Sequence, residues 1–313
     1  MAGSQSNPVS AIRDRASGIA EENPFIRSIL EMKGQVRGNR LIQFSLIWLT
    51  LVGFLAIFGD MITPYDYAAR HYDASGELMR RHPPSTEHLL GTTEQGQDVL
   101  SRVIFGAQPT MLVGLLGGTL IVSIGLAVGV VAGYFGGYVD EGLMRLLDVL
   151  YGIPFLPFAI VLMAYFGIGF WTTILLIGAL LWRGNARVFR SQVLQIKERS
   201  YVKSARASGA SHLYIMAFHI LPNMIGMIVL FFALGIGVSI LLAAGLAFLG
   251  FMDPFVPSWG VIIRSAYDSG FLMQAWWWSL PPGFMISFTI LSCYLIGREY
   301  ERLQEEKTER EAL

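Results

Sequence analysis

Long apolar stretches alternate with short polar ones along most of the chain. A helix rises about 1.5 Å per residue, so about 20 mainly apolar residues cross a bilayer. Six stretches come near that length, at roughly 41–58, 110–134, 146–166, 171–182, 224–248 and 275–297. A Gly-Ile-Gly break at 167–169 separates the third from the fourth, which is short. The pattern predicts an all-α integral membrane protein with six transmembrane helices. It divides the chain into a polar segment 1–40, a first anchor 41–58, a loop 59–108, a core of five spans over 109–297 and a charged tail 298–313. The first apolar run begins only at Leu41, too late for a cleaved signal, and reads as a retained anchor. Before it, Asn23 and Pro24 precede Phe25, Ile26, Ile29 and Leu30, the cap and apolar spacing of a short amphipathic helix on the membrane surface. In the tail, Arg302, Glu306 and Arg310 stand four apart, as in a solvated helical extension held by i,i+4 pairs.

Composition supports the membrane reading. Mean hydropathy is +0.51, and only 15% of residues are charged, against about 25% in soluble domains. The lipid bilayer is therefore the first partner. Formal net charge is zero, which removes a global basic field for nucleic acid. The distribution of Lys and Arg gives an orientation. Six lie in 1–40, one (Arg145) follows the second span, seven lie in 183–219 and four in the tail. The other side holds five: Arg70, Arg80, Arg81, Arg102 and Arg264. Eighteen against five places both termini and the 183–219 segment in the cytoplasm of a multi-pass protein of the cell membrane.

Candidate chemistry is sparse. No Gly-x-x-x-x-Gly-Lys-Ser/Thr occurs, so the chain has no phosphate loop for ATP. The single Cys293 lies in an apolar run, and the five histidines lack the spacing of a metal motif. No carboxylate pair or Ser/His/Asp set stands out, so no catalytic, cofactor or metal residue is expected. The span centres lack ionisable groups, the nearest being Arg145 and Asp148 at the mouth of the third span. Carriers coupled to protons or ions place such groups at mid-membrane, so the pathway is expected to be powered from elsewhere.

Two features organise what remains. Gly125, Gly129, Gly133 and Gly137 recur every four residues, nearly on one face of the second span, where another helix can approach closely. The segment 183–222 carries helix signals of its own. Ser204, Ala205, Ala207 and Ser208 leave little side-chain bulk; Gly209 can adopt a positive φ and end a helix sharply. A second short helix is expected next, and Pro222 opens the following span. Lys203, Ser204, Ala205, Arg206, Ala207, Ser208, Gly209 and Ala210 thus form a candidate elbow suited to docking in another protein's groove.

At this elbow the sequence resembles binding-protein-dependent ABC importer permeases. Their hallmark is Glu-Ala-Ala, a Gly four residues later, and an Ile-x-Leu-Pro-like ending. Ala205 and Gly209 match, and His219-Ile220-Leu221-Pro222-Asn223 supplies the ending. Lys203 and Ser204 replace the usual Glu and Ala, and the first change reverses a charge. The run His88 to Arg102, with Leu90-Gly91-Thr92 and Asp98, is similar to a segment of the dipeptide/oligopeptide/nickel permease subfamily, from which Thr93 and Gln97 depart. So are Ala132 to Asp148, Leu246 to Gly250 and Pro257 to Gly260. The resemblance covers about residues 86–297; the last 16 depart from it.

The resemblance implies a type I ABC importer permease fold, with the elbow as a cytoplasmic coupling helix that docks in an ATPase. It implies a second homologous permease, two cytoplasmic ATPases that hold ATP and Mg, and an external solute-binding protein. Peptides, nickel chelates and some oligosaccharides are all solutes of that subfamily. The competing reading is a self-sufficient secondary carrier or channel, which calls for mid-membrane charges or a polar pore stripe.

Overall fold

The computed structural model of the chain describes residues 39–312, with side chains through Gln304. The amphipathic helix expected near 24–30 lies outside the described residues, and the tail pairs expected at Glu306 and Arg310 lie outside the described side chains. Contacts divide the chain into residues 1–44 and 45–313, and the packing below is that of the second unit.

Among the described residues the architecture is all-helical, apart from two isolated bridges, Tyr72 with Leu78 and Thr92 with Asp98. Helix α1 runs Arg40–Ile62. A connection over 63–98, here the cap, leads to the short α2, Val99–Phe105, and after Gly106 to α3, Ala107–Phe135. Then come α4, Gly137–Tyr151, and α5, Phe155–Phe166. Helix α6 spans Phe170–Ile196. The elbow follows: α7, Ser200–Ala207, α8, His212–Ile215, a π-turn Met216–Ile220 and a 3₁₀ turn Leu221–Met224. The chain ends with α9, Ile225–Phe248, α10, Trp259–Asp268, and α11, Trp276–Ala312.

Three expectations are corrected. The single span expected over 146–166 is two helices, α4 and α5, which meet at 84°. Pro154 precedes α5 with extended backbone (φ −70°, ψ 128°); proline has no N–H for a continuing helix and disfavours the α region at Ile153. Next, the segment after Trp182, expected to be a connecting loop, stays helical to Ile196. Arginine is a good helix former, and Arg183, Arg187 and Arg190 find partners on α4. Helix α6 is too polar overall to count as a crossing by composition. Among the described residues, Arg40–Ile62, Val99–Phe135, His212–Phe248 and Trp276–Gln304 are long and apolar enough to cross, and the bent pair makes at most a fifth. The described helices thus supply four or five such spans where six were expected.

The third correction concerns the glycine stripe. Helix α3 is the centre of the bundle, packed between α6 and α9. A Cβ at Gly125 would stand 2.9 Å from the Trp182 carbonyl oxygen, one at Gly129 2.6 Å from that of Ala186, and one at Gly133 2.9 Å from that of Arg190. The two backbones therefore touch along two turns, a spacing only glycine allows. Gly137 does not join them. The chain turns at Gly136, and a Cβ at Gly137 would meet nothing within 4 Å. A second close approach was not anticipated: a Cβ at Gly118 would stand 2.8 Å from the Ile236 nitrogen of α9. Helix α9 packs in turn along α11, and Trp48 of α1 donates its indole N–H to Thr289 of α11 at 3.1 Å. Buried Trp259 pins α10 to α2 through its indole N–H, 2.9 Å from the Val103 carbonyl.

Candidate functional site

The elbow grows directly out of α6. Lys197 closes that helix and reaches across to the Gly133 carbonyl at 2.8 Å, placing a cation on the last turn of α3. Helix α7 then turns outward, anchored by fully buried Val202. It ends in a Schellman motif: the Ala210 amide donates to the Ala205 carbonyl at 3.1 Å and the Gly209 amide to that of Arg206 at 3.0 Å. Gly209 has φ +82°, the left-handed value expected of it. The Ser211 hydroxyl caps α8 by accepting from the Tyr214 amide. His212 Nδ1 lies 2.9 Å from the Tyr134 hydroxyl, and the Arg206 guanidinium lies over the same ring at 5.4 Å. The elbow is thereby held against the end of α3.

Of the eight predicted residues, Lys203, Ser204, Arg206, Ala207, Ser208 and Gly209 are exposed, and Ala205 and Ala210 are half-buried. The elbow brings all eight to one short protrusion, fringed by exposed Leu213, Tyr214 and Phe218. Lys203 ion-pairs with Glu198 at 2.8 Å, and this hydrogen bond holds the Glu198 carboxyl below the usual range. The reversed charge is therefore partly met within the chain. Beyond α8 the backbone is helical without a gap into α9. The π-turn and the 3₁₀ turn absorb Pro222, whose missing N–H and ring would otherwise break an α-helix there.

A second element was missed. Arg183, Arg187 and Arg190 line one face of α6 and engage α4 running antiparallel to it. Arg190 makes a two-pronged ion pair with Asp140, its Nη2 at 2.6 Å. Arg187 pairs with Asp148 and stacks over Tyr151 at 4.2 Å. Arg183 donates to the Leu150 carbonyl at the end of α4. The signal was present: arginines at i, i+4 and i+7 share a helix face, and Asp140 and Asp148 lie two turns apart. As a count of positive charge these arginines were read only for orientation.

At the other end of α3 the cap is built on polar side chains. Asp98 caps α2, accepting from the Ser101 amide at 2.7 Å, and lies 2.9 Å from His88 Nδ1. His88, Asp98, Ser101 and Arg102 are all buried, and Gln97 accepts from Arg102. The run from His88 to Arg102 thus acts as the structural knot of the cap. Among the described residues no group of three His, Cys, Asp or Glu side chains is placed to hold a metal.

Comparison with known proteins covers both ends of this arrangement. The family described as binding-protein-dependent transport system inner membrane component matches residues 125–308, more than half the chain. The N-terminal TM domain of oligopeptide transport permease C matches residues 34–84. The dipeptide transport system permease protein DppC of Bacillus subtilis is 34% identical, over 84% of this chain and 81% of its own length. The oligopeptide transport system permease protein OppC of the same organism is 32% identical, over 83% and 84%. The glutathione transport system permease protein GsiD of Pectobacterium atrosepticum is 32% identical, over 80% and 82%. With likeness reaching from residue 34 to residue 308 and spanning both the cap and the elbow, this chain belongs to the family of inner membrane components of binding-protein-dependent transport systems, the permease subunits of ABC importers, which have no ATPase site of their own.

Proposed function

We propose that this chain forms half of an ATP-driven import pathway for di- or oligopeptides or a similar small solute delivered by an external binding protein. The other half is a second, homologous permease, and two cytoplasmic ATPases hold the ATP and Mg. The observation that carries the reading is the elbow: a glycine-ended protrusion of small side chains, continuous with α9 and tied to α3 and α6. Lys203 to Ala210 would dock in a groove of the ATPase. The peptide assignment rests on the names of the dipeptide and oligopeptide relatives.

The excess of Lys and Arg supports cytoplasmic termini and a cytoplasmic elbow, with the cap outside. In this reading α6 is the sixth crossing, through its apolar first half, while its arginine face stays with α4. A push on the elbow travels two ways: along the unbroken backbone into α9, and through Lys197 and the arginine pairs into α6, α4 and the bend at Pro154. Proteoliposomes holding this chain, its partner permease and both ATPases, with the binding protein added, should take up labelled di- and oligopeptides only when ATP is supplied on the elbow side. Uptake by this chain alone on a proton gradient, or ATP turnover by the purified chain, would overturn the assignment.

A further inference from the structure

The end of the bundle opposite the elbow carries an open pocket of about 330 Å³, lined by Arg80, Arg81, Phe271, Gln274, Ala275 and Trp277. Its walls come from distant parts of the chain: the cap, the turn between α10 and α11, and the first turn of α11. They are locked together. The Arg81 guanidinium stacks 3.8 Å over the Phe271 ring. Gly91 of the cap lies so close to Trp277 that a Cβ there would stand 2.8 Å from the indole ring. Arg81 is the only non-glycine residue with a positive φ among the described residues, at 53°. Its amide donates to the Thr93 carbonyl at 2.9 Å. A side chain held in the left-handed region costs on the order of 1–3 kcal/mol and persists where its surroundings over-determine it, a pattern that clusters at ligand clamps.

The chemistry of the walls is one-sided. Arg80 and Arg81 share a single carboxylate, Glu94, at 3.6 and 2.8 Å, which leaves one positive charge in excess. The Gln274 amide adds donors. No acidic side chain lines the pocket. Such a site takes a carboxylate, two-pronged on a guanidinium and flanked by aromatic faces. Its volume is at the low end for ligand sites, roughly 300–1,000 Å³, and it opens at the end of the bundle. Both features suit one protruding side chain better than a whole solute on its way through.

We propose that this pocket seats an acidic side chain of the solute-binding protein, a contact that fixes the docked protein on this half of the pathway. The inference rests on the permease reading above. Helix α11 links the seat to the elbow, since Trp277 forms a wall and, at the other end, Gln304 packs on Gly226 just past the 3₁₀ turn.

The test is the affinity of the solute-loaded binding protein for the complete importer in lipid nanodiscs, measured at several salt concentrations. Arg80 is well exposed, so Arg80→Gln and Arg80→Glu should assemble. They should weaken binding about tenfold or more and flatten its salt dependence, because a rim charge acts through screened attraction. Arg80→Lys, which keeps the charge but not the two-pronged geometry, should keep the salt dependence and bind more tightly than Arg80→Gln. Unchanged affinity and salt dependence in Arg80→Glu would overturn the proposal. So would unchanged docking combined with a loss of uptake for peptides with a free C-terminal carboxylate but not for amidated ones, which would assign the seat to the solute. Failure of the unaltered importer to bind any such protein would instead sink the permease reading.

Discussion

At Gly209 one backbone angle carries the elbow. A Cβ there would meet nothing within 4 Å, so a substitution is not punished by crowding within the chain. What remains is φ +82°, which costs a β-branched residue on the order of 1–2 kcal/mol. Gly209→Val should therefore insert in the membrane at normal levels yet lose transport, while Gly209→Asn, which tolerates the left-handed region, should keep more of it. Full uptake by Gly209→Val would show that the elbow is only a tether. His71 offers a second residue-level outcome. Burial, and then neighbouring His88, lower its pKa, against the opposing pull of Asp98 and Glu87. A histidine depressed in the folded state contributes stability above its unfolded pKa of about 6.5, and that contribution fades as pH falls below it. Acidification from about pH 7.5 to 5.5 should lower the protection of the Arg81 amide, bonded to Thr93 in the cap, measured as its exchange rate relative to the intrinsic rate at each pH. His71→Phe should blunt that response, and an equal response in the variant would acquit His71.

Among elements, the contact of α4 with α6 is the one most open to test. The Asp140 and Arg190 side chains are 16% and 31% exposed, so removing either leaves a largely shielded charge without its partner. Loss of hydrogen bonds to a charged group costs about 1.5–3 kcal/mol. Arg190→Asp and Asp140→Arg should each lower the melting temperature of the solubilised complex and reduce uptake. The double exchange should recover part of both; no recovery would mean that the pair is not an independent link between the elbow helix and the bend. The glycines of α3 belong to the same scale. Their four-residue spacing was legible along the sequence, and Gly125, Gly129 and Gly133 do meet α6. Gly137 failed because the stripe assumes one straight helix, and α3 stops at Phe135.

For the whole molecule the charge count predicts sidedness. Single cysteines placed near Gly209 and Gln304 should react with a membrane-impermeant reagent only from the cytoplasmic side, and cysteines near Asp73 and Asp268 only from outside. Positions 209 and 268 labelled from the same side would break the topology on which both the elbow and the pocket depend. Counting crossings is harder than orienting them. Hydropathy is a sum over a window, so it finds α1, α3, α9 and α11 without reference to neighbours. It misjudges α6, whose arginines look like a loop until α4 is set beside them.

The sequence by itself determined what depends on near neighbours along the chain. Run length and apolarity placed the chain in lipid, the spacing of small residues marked one face of α3, and Gly209 announced a left-handed helix end because no other residue enters that region freely. The tertiary structure decided whatever depends on distant partners. It carried α6 on to Ile196 by giving its arginines acids to hold, left Gly137 facing nothing, and brought Arg80 and Arg81 to Trp277 across almost two hundred residues of chain. The reason is physical: a backbone angle or a window of hydropathy is a property of consecutive residues, whereas an ion pair, a stacked ring or a pocket exists only once separate helices have packed.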